Sequence, residues 1–265
     1  MESTSKNNPI GIFDSGIGGT SIWKEVHTLL PQEDTIYLSD SINAPYGQKT
    51  KEEILQLSIK NTEFLLNKNS KIIVVACNTA TTNAIKYLRA NYNVPFIGIE
   101  PAIKPASLQT KTNTVGILAT KGTLNSELFE KTSSKINDDI TIIEQVGQGL
   151  VELIENGKIH SSEMENLLHK YLQPMIDQKI DCLVLGCTHY PYLTPLIQKI
   201  VGHHIKIIDS GEAVARQTKN ILSKHQLLRN DNHKSHCSFY SNKDITVLTG
   251  ILNDSTNISI EKLDF

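Results

Sequence analysis

The sequence predicts an α/β protein built from two related lobes, each a mainly parallel sheet flanked by helices. Three observations predict it. Short β-branched apolar runs alternate with amphipathic helical patterns along most of the chain. Most of those runs are apolar throughout rather than alternating, as strands buried on both faces are. The pattern also recurs. Ile10-Gly-Ile-Phe is echoed by Val115-Gly-Ile-Leu, with Gly11 and Gly116 lying 105 residues apart. Ile73-Val-Val-Ala-Cys-Asn-Thr is echoed by Leu183-Val-Leu-Gly-Cys-Thr-His, with the cysteines 110 residues apart. The period is too long for a solenoid and reads as duplication of a domain. Buried Val/Ile/Leu strands look alike by composition, so the matched cysteines are what favours duplication over coincidence.

In chain order, strands are expected at Ile10–Phe13, Thr35–Leu38, Lys71–Ala76, Phe96–Ile99, Thr114–Leu118, Thr141–Gln145, Cys182–Leu185 and Ile205–Ile208. Thr50 and Glu53 have capping-box spacing and open a helix that carries Ile54, Leu57 and Leu65 through Asn67. Ser162 and Glu165 do the same ahead of Leu168, Tyr171, Leu172 and Met175. Further helices are expected at Thr81–Ala90, Leu193–Val201 and Gly211–His225. After Gln226 the chain turns polar and rich in His and Asn, with a short strand expected at Asp244–Leu248. If this end packs back onto the first lobe, that lobe comprises 1–100 with 209–265, and the second comprises 101–208.

The 265 residues include 26 Lys+Arg and 28 Asp+Glu, a formal charge of −2, with 39% hydrophobic and 20% charged residues. This is the composition of a folded globular chain, not of a disordered, collagenous or coiled-coil one. No basic excess exists to neutralise phosphates, so no nucleic-acid partner is expected. No apolar run approaches the roughly 18 residues of a spanning helix, so no membrane is expected. Met1–Asn8 is polar without a signal-peptide core, which makes the cytoplasm the expected compartment. Cys77, Cys182, Cys187 and Cys237 contain no C-x-x-C and do not form a disulfide framework.

Four segments carry chemistry. Phe13-Asp14-Ser15-Gly16-Ile17-Gly18-Gly19 follows a strand and precedes a helix, so its backbone N–H groups suit a carboxylate or phosphate. It matches neither the dinucleotide fingerprint nor a P-loop, and a plain tight turn is the equal alternative. Asp40-Ser-Ile-Asn-Ala-Pro45-Tyr46-Gly47 is a shaped turn that brings a phenol to the strand ends. Ala76-Cys77-Asn78-Thr79-Ala80-Thr81-Thr82 puts a thiol where a buried strand meets a helix, the place where open α/β sheets bind ligands. The helix N-terminus is expected to lower that thiol from about 8.5 toward neutral, against the bland reading of a small buried hydrophobe. Gly186-Cys187-Thr188-His189-Tyr190-Pro191 repeats the geometry with an imidazole two residues on. Cys182 reads as core, and Cys237 has no evident partner. Cys187 and His189 lack further ligands at zinc spacing, so no metal is expected. Two thiols on opposite sides of a small anion suit proton transfer on both faces of one carbon, one resting deprotonated and the other protonated.

These four segments, with Ile97-Gly-Ile-Glu-Pro101 and Asp209-Ser210-Gly211, resemble the signature segments of the glutamate racemase family, in the family's order from about Ile10 to Gln217. The resemblance implies a two-lobed α/β fold with the site in the cleft between pseudo-symmetric lobes. It implies cofactor-independent interconversion of L- and D-glutamate, supplying peptidoglycan synthesis. Cys77 matches the cysteine that serves the D-enantiomer and Cys187 the one that serves the L-enantiomer. Asp14 and His189 match groups that assist the thiols, and a further assisting carboxylate aligns to Glu155, with Glu152 competing. Asp14, Ser15, Pro45, Tyr46, Gly47, Asn78, Thr79, Thr188 and His189 match substrate-contacting positions. Family members often dimerise, so a homodimer is compatible with the resemblance. Thr20 stands where the family usually has Leu, a change expected to alter helix packing rather than chemistry. The short N-terminus implies that the segment some members use to bind a cell-wall precursor activator is absent. The same thiol pair could serve aspartate or another amino acid, and a non-catalytic protein binding a small anion is the reading from outside enzymology.

Overall fold

The computed structural model describes residues 5–252 and 257–265. Strand β1 (Ile10–Asp14) is fully buried and lies in parallel between β2 (Thr35–Ser39) and β3 (Ile72–Val75), with β4 (Phe96–Gly98) outside β3. In a second sheet, β5 (Thr114–Ala119) lies in parallel between β6 (Thr141–Val146) and β7 (Cys182–Gly186), with β8 (Lys206–Ile208) outside β7. Taken in sequence order, both sheets run second, first, third, fourth. The repeat read from the sequence is thus a repeat of topology. Cys77 and Cys187 follow the equivalent strands β3 and β7, so both thiols leave their sheets at carboxyl ends.

Two more strands, β9 (Cys237–Ser241) and β10 (Ile258–Lys262), extend the first sheet beyond β2. The polar tail leading to them is clasped to the start of β2. Asp34 accepts from the Arg229 guanidinium at 2.8 Å and the His236 N–H at 2.7 Å, and lies 2.8 Å from His233 Nε2. Beside it, the buried Lys71–Glu33 pair closes at 2.5 Å, with the Arg229 N–H also donating to Glu33.

The expected strand at Asp244–Leu248 is not formed. Helix α11 (Thr246–Leu252) occupies the segment, and Asp244 accepts from the Thr246 N–H at 2.9 Å. An Asx turn at its start therefore wins over the β-branched character of Ile245, Thr246 and Val247. The tail strand lies earlier, and its alternating burial hides it among polar residues: Cys237, Phe239 and Ser241 face inward. Cys237, which has no partner in the sequence reading, is buried with Sγ 3.8 Å from His27 Nδ1.

Helix α1 (Thr20–Leu29) follows β1 and packs on α10 (Gly211–Lys224). The Thr50–Glu53 capping box forms and opens α2 (Lys51–Asn67). Helix α3 (Asn78–Asn91) begins three residues earlier than expected, directly after Cys77, because β-branched threonines obscure its first turn. Helix α8 (Ser162–Asp177) is capped by Ser161, one residue before the expected Ser162, through a bond from the Met164 N–H. The short helices α4 (Ile103–Ser107), α5 (Lys121–Leu124), α6 (Glu127–Ser133) and α7 (Leu150–Glu155) lack the length to show periodicity in sequence. Helix α9 (Thr194–Val201) completes the second layer after a short turn at Tyr190–Leu193. Among the described residues no helix is long and apolar enough to cross a membrane.

Candidate active site

Strand β1 delivers Asp14 to the base of the glycine loop, fully buried. Its Oδ2 accepts from the Gly19 N–H at 2.9 Å and the Gly16 N–H at 3.2 Å, which closes the loop on itself. Its Oδ1 accepts from the Thr188 hydroxyl at 3.4 Å. Burial raises the Asp14 carboxyl, and the fields of His189 and the Gly19 N–H only partly offset it. The loop N–H groups expected to hold a ligand anion are therefore engaged by the protein itself. The Ile17 N–H donates to Glu155 Oε1 at 2.7 Å, so the anion in this nest is a side chain.

Glu155 ends α7 and is 9% exposed. Besides Ile17, it receives the Ser41 hydroxyl on Oε2 at 2.7 Å and lies 2.6 Å from His189 Nε2. Burial alone would raise its carboxyl, but the bonds from His189, Ser41 and Ile17 outweigh burial and leave it below its ordinary value. Burial likewise opposes a charge on His189. Cys187 and Glu155 on its two sides overcome that, and its imidazole is held well above its ordinary value. The two shifts agree in sign and describe an imidazolium–carboxylate pair. His189 Nδ1 lies 3.8 Å from Cys187 Sγ. The imidazole therefore bridges thiol and carboxylate, one nitrogen to each.

Two glycines permit this approach. A Cβ on Gly18 would stand 2.2 Å from His189 Nδ1, and one on Gly16 would stand 1.9 Å from Glu155 Oε1. Both exclude any side chain for reasons of contact, not backbone freedom.

Cys77 is the N-cap of α3, and its Sγ accepts the Ala80 N–H at 3.4 Å. The helix terminus does not lower its pKa as expected. Burial and the nearby Asp14 carboxylate raise it well above its ordinary value, outweighing the Ala80 N–H and the Ser15 hydroxyl. Asn78, 2% exposed, has both Nδ2 and Oδ1 without a hydrogen-bond partner among the described residues. A buried amide left open at both ends marks a place for a polar ligand. The Thr79 hydroxyl meets Thr120 Oγ1 at 2.9 Å. Tyr46 donates its hydroxyl to Asp40 Oδ2 at 2.5 Å and receives Asn61 Nδ2 at 3.2 Å, so the phenol is spoken for. What the Pro45-Tyr46-Gly47 turn offers is the ring and the leading N–H groups of the short turn Tyr46–Gln48.

Ser15, Pro45, Tyr46, Gly47, Cys77, Asn78, Thr79, Cys187, Thr188 and His189 line one chamber of about 10 Å³, room for about one water. Thr120 and Val151 line it too, and neither was singled out in sequence. Outside Pro45, Gly47, Thr120 and Val151 the cleft widens to about 570 Å³, with Lys49, Lys51 and Lys121 on its walls. Glu152 faces this outer cleft and accepts from Gln48 Nε2 at 2.5 Å, one helical turn from Glu155. Among the described residues no three His, Cys, Asp or Glu side chains converge as a metal site requires. Ser41 is a site residue that sequence missed, because nothing in spacing couples it to a carboxylate 114 positions away.

Residues 19–218 match the Asp/Glu/hydantoin racemase family model. The chain is 45% identical over 223 residues to a glutamate racemase of Herpetosiphon aurantiacus, covering 84% of this chain and 88% of that one. It superposes on a glutamate racemase isoform from Bacillus anthracis with TM-score 0.87 at 30% identity, over 98% of both chains. A Francisella tularensis glutamate racemase in complex with D-glutamate gives TM-score 0.83 at 31% identity, again over 98% of both. The chain belongs to the Asp/Glu/hydantoin racemase family and, within it, to the glutamate racemases.

Proposed function

We propose that the protein interconverts L- and D-glutamate by passing the α-proton between Cys187 and Cys77, in the cytoplasm, as a source of D-glutamate for peptidoglycan. The observation that carries this reading is the pair of buried thiols lining one chamber in unlike electrostatic surroundings. His189, held by Glu155, lies against Cys187 and can exchange a proton with it. Acting as the base, Cys187 takes the α-proton of L-glutamate. Cys77, kept protonated by burial and Asp14, delivers its proton to the opposite face and becomes the thiolate. D-Glutamate reverses both roles. Each thiol is thus base in one direction and acid in the other, and no covalent attachment is needed.

Asn78, Thr79, Thr188 and the Pro45-Tyr46-Gly47 turn hold the carboxylates and ammonium, and a dry chamber strengthens each dipole aimed at the carbanion. The reading needs no cofactor. It divides the chain into a first lobe of 1–100 with 209–265 and a second of 101–208, with the cleft between.

The test uses purified protein with L-glutamate and EDTA in D₂O, followed by polarimetry and NMR of the α-proton. D-Glutamate carrying deuterium at Cα is the expected product. Absence of both inversion and exchange in folded protein would remove the assignment. Aspartate, compared by kcat/KM, is the nearest competing substrate, and the similarity to glutamate racemases favours glutamate.

A further inference from the structure

Three residues outside the chamber tie the Cys187 turn to the opposite lobe. The Ser21 hydroxyl, at the start of α1, donates to the Thr188 carbonyl at 2.9 Å. The Thr20 hydroxyl donates to the Ile17 carbonyl at 2.6 Å and lies 2.5 Å from the Tyr192 hydroxyl. A hydroxyl has one proton, and Thr20 has given its own to Ile17, so Tyr192 is the donor to Thr20. Tyr192, pushed up to about 12 mainly by burial, stays protonated to do so. Ile17, which receives Thr20, presents its N–H to Glu155 on the other side. The turn 17–21 and the turn 188–192 are thus joined at both ends, with the His189–Glu155 pair between them. The Cys77 turn has its own ties to the second lobe, from Thr79 to Thr120 at 2.9 Å and from Asn83 to the Gly122 carbonyl at 3.3 Å, and none of these bonds involves Thr20, Ser21 or Tyr192.

We propose that Thr20, Ser21 and Tyr192 are positioning residues for the L-glutamate side of the site: they hold the Cys187–His189 turn in register with Glu155 and leave Cys77 untouched. This rests on the racemase reading above. Thr20 was expected to affect only helix packing; its hydroxyl also bonds Tyr192 and the Ile17 carbonyl, and Ile17 in turn donates to Glu155, the carboxylate that positions His189. Displacing a reacting group by about 1 Å costs up to about 100-fold in rate. Loss of one of these bonds should shift the turn less and cost about 3- to 10-fold in kcat.

The test compares Ser21→Ala, Tyr192→Phe and the double variant with the parent, using α-deuterated L- and D-glutamate. Slowing only the Cys187 transfer makes proton removal from L-glutamate more rate-limiting and removal from D-glutamate less so. The isotope effect on kcat/KM should therefore rise for L and fall for D, and Ser21→Thr should restore the parent ratio. A loss of activity with the ratio unchanged, or no loss in the double variant, would overturn the proposal. A second readout does not depend on turnover: alkylation of Cys187 by iodoacetamide at neutral pH, followed by peptide mass spectrometry, should slow about 3-fold while Cys77 alkylation does not change. If the parent racemises nothing, the racemase reading fails, and this second readout alone decides whether the seam positions Cys187. Equal alkylation in parent and double variant then refutes it.

Discussion

The two halves of the site share a backbone plan and differ in charge. Each thiol leaves the third strand of its sheet, β3 or β7, at the carboxyl end. Cys77 meets a buried carboxylate, Asp14. Cys187 meets an imidazole backed by a second carboxylate. Duplication supplies two similar strand exits, and their neighbours then make them unlike, a carboxylate beside Cys77 and an imidazole beside Cys187. A two-base inversion needs one thiol protonated while the other is not, and unlike neighbours bias which of the two holds the proton. The asymmetry comes from the connections rather than the sheets. The segment after β6 forms the short helix α7 and delivers Glu155, whereas the equivalent segment after β2 delivers Ser41, which binds Glu155.

The largest effects should come from the thiols themselves. Cys77→Ser and Cys187→Ser each remove an acid–base group whose contribution is about 10²–10⁴-fold, and a serine hydroxyl is a far weaker base than a thiolate. Each variant should lose at least about 10³-fold in racemisation by polarimetry with circular dichroism unchanged. Full activity in either would sink the two-thiol mechanism.

Next come the charges that make the halves unlike. Glu155→Gln should lower kcat about 100-fold and also move the pH profile. The Glu155 carboxylate helps hold His189 above its ordinary value. With it gone, the imidazolium is lost at lower pH, so the alkaline limb of kcat/KM for L-glutamate should shift to lower pH. An alkaline limb that stays in place in Glu155→Gln would mean that His189 does not set it.

Much of this was legible in sequence. The strands buried on both faces announced a parallel sheet, and the matched segments around Cys77 and Cys187 announced two related lobes. The helical tail segment at Thr246–Leu252 was not legible, because its β-branched residues argue for a strand and only the Asp244 turn decides otherwise. The direction of the Cys77 shift was not legible either. A helix N-terminus favours a thiolate, but sequence carries no measure of burial, and here burial and Asp14 win. Nor could sequence show that the glycine loop spends its N–H groups on Asp14, Glu155 and His189, since Ile17 and Gly18 meet partners 138 and 171 positions away.

The finest distinction lies on a single helix. Glu152 and Glu155 are one turn apart in α7, yet Glu155 bonds to His189 behind the chamber while Glu152 lines the outer cleft, where it bonds to Gln48. Such a contact at an exposed mouth is worth about 0.2–1 kcal/mol, which limits its effect to about 5-fold. Glu152→Ala should therefore change kcat/KM by no more than about 5-fold, equally for L- and D-glutamate, because it borders the path into the chamber and touches neither thiol. The pH limbs should stay where they are. If Glu152→Ala instead slowed one enantiomer about 100-fold, as expected of Glu155→Gln, the assisting carboxylate would have been assigned to the wrong turn of the helix.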